Sequence, residues 1–328
     1  MRTPTAFKRT RRGLLALALV AMLGAYATRP GHAAGAASDH DEKLIIAGAS
    51  GQLGELTVRA LLQRRVPARN LILVSRTPEK LAEFAALGAA TRYGDVDHPE
   101  SLAAAFAGGD RLLLISLGFS APDAGPRPER HRRAFDAAVK AGVRHIVYTS
   151  YLGVGRGRDW LAEDHGRSEA FLRDSGAKWT ALRNAFYADM LLDDALKMAA
   201  TGHASARPGD PPQAPLTRAD CAAAAAGALL GGDRFDDQAL DITGPAAVSV
   251  RDVARIVGEI TGRSVEVTED APASGPGGFA PPPAVISDAV QRLTGRAPMS
   301  VRALLEAHRA ELVAAARSAA TRQRKPAP

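Results

Sequence analysis

The run Leu44-Ile45-Ile46-Ala47-Gly48-Ala49-Ser50-Gly51-Gln52-Leu53-Gly54 constrains the fold more than any other part of the chain. Its first four residues are apolar without alternation, the pattern of a strand buried on both faces of a parallel sheet. A glycine-rich turn follows, and then Leu56, Val58, Leu61 and Leu62 recur at helical spacing. Strand, turn and helix open a βαβ unit. The glycines stand as G-x-x-G-x-x-G, a variant of the dinucleotide-binding pattern. Glycine tolerates positive φ and lets the backbone approach a pyrophosphate, while the helix start offers N–H groups to the anion. A plain glycine turn shares the composition, but the strand-to-helix context favours a nucleotide. Gly48, Ser50, Gly51, Gln52, Leu53 and Gly54 are the candidate phosphate-loop residues.

The second strand, Leu71-Ile72-Leu73-Val74-Ser75, ends at Arg76, with Lys80 one helical turn on. A site for NAD carries an acid at this place to hold the ribose 2′-hydroxyl. Cations there match a 2′-phosphate, so the expected cofactor is NADP(H). Further strands are expected at 90–94, leading to Asp95 (a candidate for the adenine), and in the runs ending at Ser116, Ser150 and Asn184. Helical patterns lie between them at 78–87, 99–107, 127–141 and 164–175. Alternating strands and helices imply an α/β fold with a doubly wound parallel sheet, whose ligands sit at the carboxyl ends of the strands. Ser116 and Ser150 are therefore added to the cofactor set, and Tyr151, next after the fifth strand, is a candidate catalytic residue.

The N-terminus points elsewhere. Arg2, Lys8, Arg9, Arg11 and Arg12 precede a mildly apolar run of sixteen residues, Gly13 to Thr28. That is shorter than the roughly 20 residues a membrane-spanning helix needs. Small residues suited to cleavage follow, so residues 1–36 read as a secretory signal peptide. The order Thr10-Arg11-Arg12-Gly13-Leu14-Leu15 resembles a twin-arginine signal, which engages machinery that exports folded proteins. The expected location is periplasmic or secreted; the alternative is an uncleaved inner-membrane anchor. These residues hold six cations and no acid, and so account for all but about one of the net charge of +7. What remains has no basic stripe with interleaved aromatics, which excludes nucleic acid as a partner. The single cysteine, Cys221, permits no internal disulfide and lies in an alanine-rich helical run that reads as core. No metal-ligand spacing is present.

Several runs together carry a family likeness: AGASGQLG, VSRTPEKL, YGDVDHPESLAAAF, LLLIS, AAVKAGVRHIVYTSYL, HGRSEAFLRDSG, WTALRNAFY and TRADCAAAAA. The chain resembles the NmrA-like atypical short-chain dehydrogenases, in particular the bacterial NADPH-dependent quinone oxidoreductases of that group. The likeness covers about residues 43–265, with a weaker echo at 285–313. It implies a Rossmann domain over 43–200 and a C-terminal substrate lobe over 201–315. Residues 203–216 would be a loop into that lobe, 271–283 a mobile loop and 316–328 a disordered tail. It also implies that Asn184 and Tyr187 line the substrate pocket. The wider superfamily uses Tyr-x-x-x-Lys, in which the Tyr moves the substrate proton. Placing Glu169 and Leu172-Arg173-Asp174-Ser175-Gly176 in that frame puts His165 at the Lys position and Leu161 at the Tyr position.

The missing acid narrows the chemistry. Hydride addition to a ketone makes an alkoxide whose conjugate acid has a pKa near ~16, and such a step wants a positioned acid. Hydride addition to a quinone makes a phenolate-like anion, with a pKa near ~10, which water can protonate later. The expected activity is hydride transfer from NADPH to a quinone-like small molecule, with His165 as proton donor or orienting group. His131, beside Arg132 and Arg133, reads as structural. The alternatives are a non-catalytic NADP(H) sensor or partner-binding module and, less suited to the degenerate Tyr-x-x-x-Lys, an epimerase or lyase.

Overall fold

The computed structural model describes residues 42–118, 125–157, 159–209, 211–269 and 282–323. The strands are β1 (Leu44–Ala47), β2 (Leu71–Ser75), β3 (Ala90–Tyr93), β4 (Arg111–Leu114), β5 (His145–Tyr151), β6 (Lys178–Asn184), β7 (His203–Ala206), β8 (Gln238–Ile242) and β9 (Glu266–Glu269). The α-helices are α1 (Gln52–Gln63), α2 (Ala82–Ala86), α3 (Leu102–Phe106), α4 (Arg127–Lys140), α5 (Trp160–Arg173), α6 (Asp189–Thr201), α7 (Arg218–Leu229), α8 (Val250–Thr261), α9 (Ala289–Thr294), α10 (Val301–Ala307) and α11 (Arg309–Gln323).

Seven strands form one parallel sheet in the order β3-β2-β1-β4-β5-β6-β8. The order reverses between β1 and β4, and a crevice at such a switch point is where a doubly wound sheet takes its ligand. The continuous apolar runs serve two cores at once. On one face Leu44 and Ile46 pack with Leu53, Val58 and Leu61 of α1, and with the alanines of α7 and Val290 of α9. On the other, Ile45 and Ala47 pack with Phe106 of α3, Phe135 of α4 and Leu172 of α5. The Ala-rich α7 has no bulk to hold it away from the sheet, and Ala224, Ala226 and Ala228 are fully buried.

A separate core forms the C-terminal lobe. There β7 pairs with β9 in parallel, and α6, α8, α10 and α11 pack around them. Ser249 starts α8 through a capping box: its Oγ accepts from Asp252 N at 3.1 Å, and Asp252 Oδ2 accepts from Ser249 N at 3.0 Å. The apolar stripe Val253, Ile256, Val257 and Ile260 then faces the lobe core.

Three boundaries read from the sequence need correction. The chain does not change layer once, at 200/201: α7, β8 and α9 return to the main sheet, because β8 pairs with β6 and the apolar faces of α7 and α9 complete the core over β1. The expected loop at 203–216 begins with strand β7. The expected tail from 316 is helical to Gln323, and Ala316 packs in the lobe core at 3% exposure. Most of the expected mobile loop at 271–283, the whole of 1–36 and residues 324–328 lie outside the described residues. Among the described residues no helix is long and apolar enough to cross a membrane.

Candidate functional site

The glycine turn leaves β1 at the switch point. Gly48 takes φ +90°, and the N–H groups of Gly48 and Ala49 both donate to Val74 O, at 3.0 and 3.1 Å. This pins the turn to β2. At Gly54 a Cβ would stand 2.2 Å from Gly48 O and 2.7 Å from Ala49 Cα, so only glycine lets α1 start this close to the turn. Among the described residues no side chain caps the start of α1. Ser50 Oγ lies 2.6 Å from Ser75 Oγ, and Ser75 Oγ accepts from Thr77 N at 2.9 Å, tying the turn to the end of β2. Arg76 and Lys80 are exposed just beyond that tie. The turn is a cradle that a side chain would fill, with an uncapped helix start and two cations nearby. These features fit a phosphate-bearing dinucleotide.

The other expected cofactor residues divide. Asp95 closes its own turn: Oδ1 accepts from Asp97 N at 3.0 Å and Oδ2 lies 3.4 Å from His98 Nδ1. Ser116, past β4, has its N–H held by Thr149 Oγ1 at 2.8 Å. Ser150 has a different commitment. It is buried, and its Oγ donates to Glu169 Oε1 at 2.6 Å. Glu169, fully buried, is also held in a two-pronged pair by Arg183, at 2.9 and 2.7 Å. A buried carboxylate must be satisfied this way or lose its charge, so the Ser150 hydroxyl proton is committed to Glu169, while its oxygen keeps lone pairs for a further donor.

At the carboxyl ends of β5 and β6 the structure brings Tyr151, His165 and Asn184 together. Tyr151 and Asn184 are register partners. The Tyr151 ring lies tilted against His165 and Phe186, with centroids 6.1 and 5.8 Å away. Asn184 is 7% exposed, and its Oδ1 accepts no hydrogen bond among the described residues. A buried amide oxygen without a donor is costly, and a ligand donor would relieve it. Tyr187 points to other company, its ring under the Arg218 guanidinium at 4.7 Å.

His165 is buried at 5% exposure, with Nδ1 2.9 Å from the Tyr148 hydroxyl and Nε2 3.5 Å from Arg127 Nη2. Burial first, and the Arg127 charge second, push its pKa down to about 3. Of the two roles expected for His165, proton donor or orienting group, a ring held neutral near pH 7 favours the second. Burial and the nearby Asp159 raise the Tyr151 pKa, so its hydroxyl keeps its proton. Burial likewise raises those of Tyr148 and Tyr187. Leu161 is half-buried on α5, one turn before His165. The ends of β5 and β6 thus present aromatic rings, an amide acceptor and a neutral imidazole.

Two participants, Tyr148 and Arg127, escaped the sequence reading, and a third, His131, was read there as structural without its partners. Tyr148 sits inside β5, in a run that reads as plain core. Arg127 and His131 lie one turn apart on α4, and only the packing of α4 on α5 shows that Arg127 reaches His165 while His131 reaches Ser168 and Tyr148. Cys221 is fully buried and its thiol is pushed well above its ordinary pKa, mainly by burial, so it is inert core. Among the described residues no group of His, Cys, Asp and Glu side chains could hold a metal ion.

Comparison with known proteins agrees with this geometry. Quinone oxidoreductase 2 of Escherichia coli is 33% identical over 222 residues, which span 68% of this chain and 76% of that protein. The triphenylmethane reductase of Citrobacter sp., solved with NADP(H), superposes with a TM-score of 0.71 at 28% identity, covering 81% of this chain and 99% of that one. The Escherichia coli NADPH-dependent quinone oxidoreductase, solved with NADPH, gives 0.69 at 28% identity, covering 81% and 99%. The family model described as NAD(P)H-binding matches residues 48–230, from the glycine turn through α7, and with more than half its length so matched the chain belongs to the NAD(P)H-binding family.

Proposed function

We propose that the protein is an NADPH-dependent oxidoreductase acting on a quinone-like acceptor. The Gly48–Gly54 turn and the start of α1 take the pyrophosphate, and Arg76 and Lys80 take the 2′-phosphate. Bound there, NADPH supplies the hydride. Asn184 offers its unpartnered Oδ1 to a donor on the ligand, Tyr151 and Phe186 provide ring surface for a flat acceptor, and His165 holds the Tyr151 ring from behind. The observation that carries the reading is that His165, the ionisable group expected here, is held neutral, while the residue that the resemblance sets at the Tyr position is Leu161. Such a site suits an acceptor whose reduced anion is a weak base, and the relatives named for quinone reduction support it.

We further propose that residues 1–36 export the protein in a folded state. Export through a channel for unfolded chains would strip a folded-state ligand, whereas a twin-arginine route lets the cofactor be loaded before exit. Residues 43–200, together with α7, β8 and α9, would then hold the cofactor, and the lobe around α8 would border the acceptor.

Purified protein with NADPH should reduce benzoquinones and naphthoquinones, measured as loss of NADPH absorbance, and leave simple ketones untouched. Faster turnover of ketones or sugars would overturn the acceptor assignment. NADPH binding without turnover of either would favour the sensor alternative.

A further inference from the structure

The loop after β4 is gripped at a single residue, through both of the peptide groups that flank it. Leu117 N–H donates to His131 Nε2 at 3.0 Å. Leu117 O accepts from Arg127 twice, from Nε at 3.1 Å and Nη2 at 2.7 Å. Both polar groups of this residue are thus taken by side chains one turn apart on α4, and those side chains are buried, His131 at 1% and Arg127 at 9% exposure. The grip extends to α5. Arg127 Nη1 donates to Asp164 Oδ2 at 3.2 Å, and Nη2 lies 3.5 Å from His165 Nε2. His131 Nδ1 lies 2.8 Å from Ser168 Oγ, which donates to Asp164 O at 2.9 Å. Because His131 Nε2 accepts from a backbone N–H, the network assigns its proton to Nδ1, which donates to Ser168. The Tyr148 hydroxyl bridges the two imidazoles, 3.3 Å from His131 Nδ1 and 2.9 Å from His165 Nδ1.

β4 borders the switch point and α5 carries His165, so this network joins the cofactor side of the crevice to its acceptor side. A core that needed only bulk here would be apolar. Two ion-paired or hydrogen-bonded groups, aimed at one loop peptide, are costly to bury unless that peptide must hold one position. We infer that Arg127 and His131 are positioning residues that fix the Leu117 peptide, and with it the floor of the nicotinamide end, relative to His165. This rests on the reading of the crevice as the NADP(H) and acceptor site.

The test compares His131→Leu, which leaves the Leu117 N–H without an acceptor, with His131→Gln, whose Oε1 can accept it. Hydrogen–deuterium exchange over residues 115–118 is measured with and without NADPH, alongside NADPH affinity and kcat with a naphthoquinone. We expect exchange at Leu117 about tenfold faster in His131→Leu, the scale of one lost hydrogen bond. His131→Gln should restore most of the protection. NADPH should add protection in the wild type and in His131→Gln but not in His131→Leu. Affinity for NADPH should hold, because the glycine turn is untouched, while kcat falls on the order of 10- to 100-fold in His131→Leu and recovers in His131→Gln. Unchanged exchange in His131→Leu overturns the clamp, and so does a kcat equally depressed in both variants. If the wild type reduces no quinone, the acceptor assignment fails by itself, and the exchange pattern with NADPH still decides the clamp.

Discussion

Lowering the pH should destabilise the fold well above the range in which carboxylates protonate. His131, His145 and His165 are all buried, at 1%, 2% and 5% exposure. Each has a ring nitrogen facing a donor. His145 Nδ1 lies 2.6 Å from Arg111 Nη1, and its Nε2 lies 2.9 Å from Thr180 Oγ1, whose hydroxyl donates to Phe235 O. Burial first, and Arg111 second, bring His145 down to about 4; His165 falls to about 3, and His131 lies well below its ordinary value. In the unfolded chain all three titrate near ~6.5. Between that pH and about 4 the unfolded chain takes up protons that the native protein refuses, so stability rises with pH and is lost as pH falls. Going from pH ~7.5 to ~5.5 costs about 1.4 kcal/mol for each of His145 and His165, on the order of 3 kcal/mol for the two, and His131 acts in the same direction. That is a large part of the roughly 5–15 kcal/mol a domain commonly has. The carboxylates with lowered pKa, Glu83, Asp237, Asp252 and Glu259, start from 4.5 or 3.8 and act only at lower pH. Urea unfolding at the two pH values reads the difference, and His145→Gln, which can keep both hydrogen bonds, should remove about 1.4 kcal/mol of it. Equal stability at both pH values, or an unchanged slope in His145→Gln, would refute the reasoning.

Gly54→Ala should abolish NADPH binding while leaving the circular dichroism of the fold native, because its Cβ would collide with Gly48 O at 2.2 Å; retained affinity would remove the turn from the site. Arg76→Ala should weaken NADPH by about 1.5–3 kcal/mol, the worth of a hydrogen bond to a charged group, and spare NADH; equal loss for both cofactors would deny Arg76 the 2′-phosphate. Replacing Arg11 and Arg12 together by Lys should hold the protein in the cytoplasm, read by cell fractionation, whereas undiminished export would mean an ordinary signal.

The sheet was legible because its strands are continuous apolar runs that end at Gly, Ser or Asn and are separated by helical patterns. The position of Arg76 was legible because it follows the end of β2 directly, with Lys80 in the short helical turn after it. The layer return of α7, β8 and α9 was not, since an alanine helix fits any core and only the pairing of β8 with β6 reveals which one. The partner of Ser150 was hidden for a related reason. Along β5 successive side chains alternate between faces, and sequence order does not say that Glu169 waits on the face Ser150 takes. His165 was located correctly on α5, but its ionisation depends on Arg127 and Tyr148, which lie far off in sequence and near only once α4 and β5 pack.

The central claim is that this chain itself passes a hydride from NADPH to a quinone. NADPH-loaded protein mixed with a naphthoquinone in a single turnover tests it, with the cofactor carrying hydrogen or deuterium at the transferred position of nicotinamide C4. The account predicts loss of NADPH absorbance that is slower for the deuterated cofactor and absent when a simple ketone replaces the quinone. No loss with the quinone, or the same loss with the ketone, would contradict it.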